Sequence, residues 1–140
     1  GNVALVKSLG ADFVIDYNLE DFTKNGLQYD IIFDTVGKKS FSECKSALTK
    51  NGVYLSAVID FSLFIQIIRT SLFNGKKARS SATGMLPVKE RLKYFIELKE
   101  LLRTAKIKTV IDTTYPLSKV AEAHSYVEKG HKKGSIIISV

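Results

Sequence analysis

The stretch that decides the fold is Tyr29-Asp30-Ile31-Ile32-Phe33-Asp34-Thr35-Val36-Gly37. Its apolar run from Tyr29 to Thr35 is typical of a parallel strand with both faces covered. The run ends in a turn at Gly37. Because helical and strand patterns alternate on both sides of it, we predict an α/β fold with a doubly wound parallel sheet and right-handed crossovers.

The residues before this stretch have a pattern that is typical of the middle of a nucleotide-binding sheet. The chain opens inside a helix that ends at Gly10. A short apolar strand is predicted at 13–17, and a short acidic helix follows, capped by Asn18 and closed by Asn25-Gly26. The strand that should come first, with its Gly-rich phosphate loop, is absent from the sequence. We therefore expect the chain to be the later part of a cofactor domain from a larger enzyme.

After this stretch, the pattern continues to alternate. Ser40-Phe41-Ser42-Glu43 is a capping box, which predicts a helix through Leu48 with Phe41, Cys44 and Leu48 on one stripe. The remaining predicted elements are a strand at 53–58, a helix at 61–74, a strand at 77–83, a helix at 88–107, an extended segment at 109–115, a helix from Ser118 to Lys129 and a strand at 135–140. The helix at 61–74 is apolar nearly all round, so we expect it to be buried or to face a partner.

The composition is that of a globular protein, and 140 residues are enough for one domain with a core. The net charge of +7 comes partly from lysine pairs that are far apart and lack interleaved aromatic residues, so we read them as solvated and expect no nucleic-acid partner. No apolar run is long enough to span a bilayer, and we expect no membrane partner. The single cysteine, Cys44, fits a reducing cytoplasm.

The residues that directly follow the strands are the candidate binding residues, because ligands of parallel sheets bind at the carboxyl ends of the strands. These residues are Tyr17, Thr35-Val36-Gly37, Ala57-Val58-Ile59 and Ala82-Thr83-Gly84. No catalytic group is expected in this chain. The only histidines are His124 and His131, and no cluster of Cys, His or Glu has the spacing of a metal site.

Four blocks carry a resemblance to a known family. They are Val6-Lys7-Ser8-Leu9-Gly10-Ala11-Asp12, Val14-Ile15-Asp16-Tyr17, the stretch from Tyr29 to Gly37, and Tyr115-Pro116-Leu117-Ser118-Lys119-Val120-Ala121-Glu122-Ala123. In their order and spacing, they resemble the medium-chain dehydrogenase/reductase superfamily, and most closely its zinc-independent, quinone oxidoreductase-like branch.

The resemblance implies a GroES-like catalytic domain, a Rossmann domain with strand order 3-2-1-4-5-6, and a return of the chain to the catalytic domain at its end. The predicted strands at 13–17, 29–35, 53–58 and 77–83 correspond to strands three to six. The fold is then an incomplete Rossmann fold that lacks strands one and two. Residues 1–107 would be the partial NAD(P)-binding domain, and residues 108–140 the return segment, with the catalytic domain missing from the N-terminal side.

By the same resemblance, this is the C-terminal part of an oxidoreductase that transfers hydride from NADPH, or from NADH, to quinones, enones or carbonyl compounds, with no zinc in this segment. Tyr17 matches a position near the adenosine, and Thr35, Val36 and Gly37 match the turn beside the ribose. Ala57, Val58, Ala82 and Thr83 match backbone contacts around the nicotinamide. A homodimer through the strand at 77–83 is also implied. Gly37→Val is expected to affect cofactor binding more than folding.

Two other functions remain open on the sequence. One is a non-catalytic nucleotide-binding or structural relative on the same fold. The other is a Rossmann domain of the methyltransferase type, whose sheet would carry an antiparallel strand beside strand six.

Overall fold

The structure is a computed structural model, which describes residues 2–81, 83–130 and 132–140. The helices are α1 (Val3–Ser8), α2 (Phe41–Cys44), α3 (Phe61–Ser71), α4 (Val88–Arg103) and α5 (Val120–Glu128). The strands are β1 (Tyr29–Asp34), β2 (Leu48–Ser56), β3 (Lys77–Ser80), β4 (Ile111–Pro116) and β5 (Ser135–Ser139). Single 3₁₀ turns occupy Lys45–Ala47, Thr83–Met85 and Leu117–Lys119.

The strands form two parallel sheets, in two compact units of the chain. The unit Phe13–Arg91 contains a three-stranded sheet in the order β1-β2-β3. The other unit, which includes Leu92–Val140, contains β4 and β5, paired in parallel and connected through α5. The predicted α/β class with a partial parallel sheet is confirmed. The predicted division into domains 1–107 and 108–140 stays a prediction.

The core of the first unit lies between one face of its sheet and the helices α2 and α3. Its buried members are Phe41, Cys44, Leu48, Tyr54, Leu63 and Ala78, and Phe22, Ile32 and Ile67 pack against them. On the opposite face of the sheet, the side chains of Ile31 and Phe33 are more than half exposed. The expectation that both faces of β1 are covered is therefore wrong for this chain. An apolar run indicates a strand, but whether both faces are covered depends on other segments.

The predicted strand at 13–17 is not formed. A strand needs a neighbour to complete its backbone hydrogen bonds, and in the described residues β1 pairs only with β2. The acidic helix predicted after it is also wrong, because this segment contains turns instead. Asp16 accepts a hydrogen bond from the backbone N–H of Asn18 (3.0 Å), and Asp21 accepts one from that of Thr23 (3.0 Å). Such local bonds from aspartate compete with helix formation.

Several predicted boundaries also need correction. The capping box at Ser40 is confirmed, but the α-helix ends at Cys44, and Leu48 is already in β2. The strand β3 ends at Ser80, so Thr83 lies outside it, in a 3₁₀ turn. Ser118 caps no helix, because it lies inside the 3₁₀ turn that precedes α5. In each case the local pattern identified the element and missed one of its boundaries, which depends on contacts outside the local sequence.

Candidate cofactor site

The carboxyl ends of the three strands of the first unit lie side by side. The backbone N–H of Ala57 donates to the carbonyl of Asp34 (2.9 Å), so the pairing of β1 and β2 continues past the end of β2. The N–H of Ser81 donates to the carbonyl of Ser56 (2.8 Å) in the same way. The segments that follow the strands therefore begin at one edge of the sheet, as expected for a binding site of a parallel sheet.

Asp34, the last residue of β1, holds the turn that follows it. Its Oδ1 accepts hydrogen bonds from the backbone N–H groups of Val36 (2.9 Å) and Gly37 (2.7 Å). Its Oδ2 accepts from the N–H of Lys39 at 3.4 Å and lies 3.0 Å from the hydroxyl of Tyr54. One carboxylate thus organises the backbone of residues 36–39, which include Val36 and Gly37 of the turn predicted to lie beside a ribose.

Gly37 is required by the backbone and by its neighbour. Its φ is +77°, a conformation that other residues rarely adopt. A Cβ added there would lie 3.2 to 3.3 Å from the side-chain carbons of Val58. The turn after β1 and the turn after β2 are therefore in contact. Gly37→Val was expected to affect cofactor binding more than folding. With this geometry, we expect the substitution to destabilise the fold as well, because the added side chain meets Val58.

Tyr54 and Ser56, which the sequence analysis did not select, support both turns from inside the first unit. The Tyr54 hydroxyl contacts Asp34 and the carbonyl of Lys39, and donates its one proton to one of them. Ser56 accepts a hydrogen bond from the N–H of Val58 (3.1 Å) and donates to its carbonyl (2.8 Å). The alternation along β2 was the signal that could have found them, since residues 54 and 56 share the buried face of the strand.

A small cavity of about 40 Å³ lies beside these two turns. Its lining includes Gly37, Tyr54, Ser56, Val58 and Gln66. This volume has room for a water molecule or two and is far below that of a typical ligand pocket. In this unit, therefore, a cofactor would lie along the strand-end turns rather than enter a closed pocket.

The remaining predicted site residues lie as follows. Thr35 and Val36 belong to the turn held by Asp34 and are exposed. The side chain of Tyr17 is 87% exposed, in a turn rather than at the end of a strand. Thr83 begins the 3₁₀ turn after β3, and Ala82 is outside the described residues. The structure thus brings 35–37 and 57–58 together.

Neither a metal cluster nor a membrane-spanning helix is found in residues 2–81, 83–130 and 132–140. No three His, Cys, Asp or Glu side chains in these ranges are grouped so as to hold a metal ion. None of the helices there is long and apolar enough to cross a bilayer.

The carboxylates around the site have lowered pKa values. Burial alone would raise the pKa of Asp34, but the hydrogen bonds from Gly37 and Val36 outweigh it and hold the pKa below the usual value. Hydrogen bonds from the backbone and the side chain of Thr23 lower the pKa of Asp21 to about 2. Both groups therefore bind protons more readily in the unfolded chain than in the folded one.

We expect the free energy of unfolding to fall as the pH is lowered from about 5 to about 2. The stabilisation from a lowered pKa is complete above the unfolded value near 4, and it is lost as the pH falls through the folded value. Urea unfolding across this range measures the effect, and Asp34→Asn should make the slope shallower. Identical slopes for the variant and the parent chain would contradict the contribution of Asp34.

Parallel strands joined by helices, with adjoining strand-end turns, define an α/β protein with a partial Rossmann-like sheet. The family model described as zinc-binding dehydrogenase matches residues 9–138. The chain belongs to this family, within the medium-chain dehydrogenase/reductase superfamily. The resemblance to this superfamily, drawn from the sequence, is thereby confirmed.

The relatives of this chain are considerably longer. The chloroplastic quinone-oxidoreductase QR1 of Triphysaria versicolor is 34% identical over 142 residues, which cover 98% of this chain and 42% of the relative. The mitochondrial NAD(P)H oxidoreductase RTN4IP1 of Bos taurus is 32% identical over 155 residues, covering 97% and 39%. The quinone oxidoreductase structure from Coxiella burnetii superposes with a TM-score of 0.75 at 26% identity, covering 99% and 42%. The chain therefore spans about two fifths of the length of the relatives it matches.

Proposed function

We propose that this chain forms the strand-end part of a nicotinamide-cofactor site in an NAD(P)H-dependent oxidoreductase. The observation that carries the proposal is the contact between the turns after β1 and β2, with Gly37 kept free of a side chain and Asp34 holding the backbone around it. A glycine turn at the carboxyl edge of a parallel sheet permits close approach of a cofactor to the backbone.

In this proposal, the residues of the chain bind and orient the cofactor. Thr35, Val36 and Gly37 contact its ribose, and Tyr17 contacts its adenosine end. Ala57, Val58, Ala82 and Thr83 border the nicotinamide through backbone groups. When bound, NADPH (or NADH) supplies the hydride that a quinone, enone or carbonyl compound accepts. The names of the two relatives, an NAD(P)H oxidoreductase and a quinone-oxidoreductase, support this cofactor and this substrate class.

Further parts of the proposal concern zinc, a catalytic domain in cis, association and compartment. The reaction is proposed to need no zinc in this segment, and the catalytic groups are proposed to come from an N-terminal catalytic domain in cis.

A homodimer would form through residues 77–83. In its support, β3 is one of the two edge strands of its sheet in the described residues, and edge strands favour pairing. We propose the cytoplasm as the compartment, which the free, buried Cys44 supports. The two relatives are mitochondrial and chloroplastic.

The alternatives differ in what they require. A methyltransferase-type domain would need an antiparallel strand beside strand six, and all strand pairs of the described residues are parallel. A non-catalytic relative on the same fold requires no turnover, and only an assay of the enzyme that contains this chain separates it from a reductase.

A residue-by-residue titration with NADPH tests the proposed site in this chain. We expect amide NMR signals of 35–37 and 57–58 to shift with a Kd no lower than about 0.1 mM. The binding is expected to be this weak because the 140 residues hold no G-x-G-x-x-G loop to bind the phosphates. Tyr17→Ala should raise the Kd about fivefold, the effect of one lost hydrogen bond.

Tyr94→Ala is the matched control for the titration. Tyr94 is also an exposed tyrosine, but it lies on α4, away from the strand ends in sequence. We expect this variant to leave the Kd unchanged. Equal effects of the two substitutions would remove Tyr17 from the site, and an absence of shifts at 35–37 would contradict the proposed site itself.

A further inference from the structure

The helix α3 has two apolar faces, and only one of them packs on the sheet. The inner face places Leu63 in the core and Ile67 against it. The outer face is a continuous stripe at helical spacing, formed by Phe61, Phe64, Ile65 and Ile68 and continued by Leu72 directly after the helix, and all five residues are exposed. Within the stripe, Phe64 is 54% exposed and Ile68 is 48% exposed. A stripe of large apolar side chains on a surface helix indicates a binding surface.

The charged residues of the segment that contains this stripe, residues 61–89, are all basic. No Asp or Glu occurs between Asp60 and Glu90. The same interval contains Arg69, Lys76, Lys77, Arg79 and Lys89. The carboxylate of Asp60 is itself engaged at the start of α3, where it accepts a hydrogen bond from the N–H of Leu63 (2.6 Å). A surface that binds a basic segment of this kind would be expected to carry negative charge.

Two of these positive charges, those of Arg69 and Lys77, lie at the C-terminal end of α3. The Nζ of Lys77 donates to the carbonyls of Thr70 (2.6 Å) and Phe73 (2.6 Å), so this ammonium group is held against the last turn. Arg69 is exposed on the last turns of the helix, at the flank of the apolar stripe. Apolar side chains next to exposed and helix-bound cations form the pattern of a helix that lies in a membrane interface.

We propose that the outer face of α3 binds the surface of an anionic lipid bilayer, with Phe64 and Ile68 inserted between the headgroups. The 11 residues of α3 are too few to span a bilayer, so the helix lies in the plane of the surface. The sequence-based expectation of no membrane partner considered spanning length alone. The lysines of this acid-free segment favour an anionic lipid surface over a protein partner, because lysine is depleted from the cores of protein interfaces.

Co-sedimentation of the whole chain with lipid vesicles tests this proposal. We expect binding to phosphatidylcholine vesicles that contain about 30% phosphatidylserine, and much weaker binding to phosphatidylcholine alone. The double variant Phe64→Gln/Ile68→Gln should weaken binding at least about tenfold, because it removes the inserted apolar area. Arg69→Gln should weaken it about fivefold, and added salt should weaken it further.

The control is Phe95→Gln/Ile96→Gln, which removes two exposed apolar side chains from α4 and leaves the segment of α3 intact. We expect parental vesicle binding from this variant, and an unchanged circular dichroism spectrum from both. Equal losses in the two double variants would show unspecific adsorption and overturn the proposal. It is also overturned if the α3 variant only dissociates a dimer in sedimentation experiments while vesicle binding is unchanged.

Discussion

Phe41→Ala lowers the free energy of unfolding of the first unit by about 3 to 5 kcal/mol in urea titrations, the usual cost of truncating a core phenylalanine. Phe41 is the first residue of α2 and is 5% exposed. Its ring packs edge-on against Tyr54, with 6.1 Å between ring centroids. The truncation therefore opens a cavity directly behind the residue that supports the turn at Asp34.

Phe61→Ala is the matched control for this substitution. Phe61 is also the first residue of a helix and also follows a capping residue, Asp60, but its side chain is 77% exposed. We expect a change of at most about 0.5 kcal/mol in the free energy of unfolding. Similar losses from the two substitutions would mean that the core lies elsewhere than between α2 and the sheet.

Asp34→Ala is expected to cost about 2 to 4 kcal/mol of stability, because hydrogen bonds to a charged group are among the stronger ones in proteins. The substitution removes the acceptor for the N–H groups of Val36, Gly37 and Lys39, and it leaves the Tyr54 hydroxyl with the carbonyl of Lys39 alone. The turn after β1 should then lose its conformation. In the NADPH titration, the shifts at 35–37 should disappear.

Asp30→Ala is the corresponding control on the same strand. Asp30 is exposed and accepts one side-chain hydrogen bond, from Thr49 (2.8 Å). Its removal should cost no more than about 1 kcal/mol and leave the NADPH shifts in place. If Asp34→Ala proves equally mild and the shifts at 35–37 persist, the turn is held by the chain around it and Asp34 has no positioning role.

Local sequence was a good guide where one segment carries the whole signal. The capping box at Ser40 predicted the start of α2, because its hydrogen bonds join residues three positions apart. The glycine turn at Gly37 was visible for the same reason. The strand at 13–17 was also predicted from a local pattern, a short apolar run, and it does not form. A strand's hydrogen bonds come from another segment, which a local pattern cannot supply.

By itself, the sequence determined the alternation of helices and strands, the parallel sheet and the family, since these depend on periodicity and on the order of short blocks. Only the tertiary structure decided which residues support the candidate site. Asp34 and Tyr54 are twenty positions apart, and their oxygens meet at 3.0 Å because β1 and β2 are paired in register. The exposure of the outer face of α3 was likewise decided by packing, because a helix that is apolar on all sides does not reveal which side faces the core.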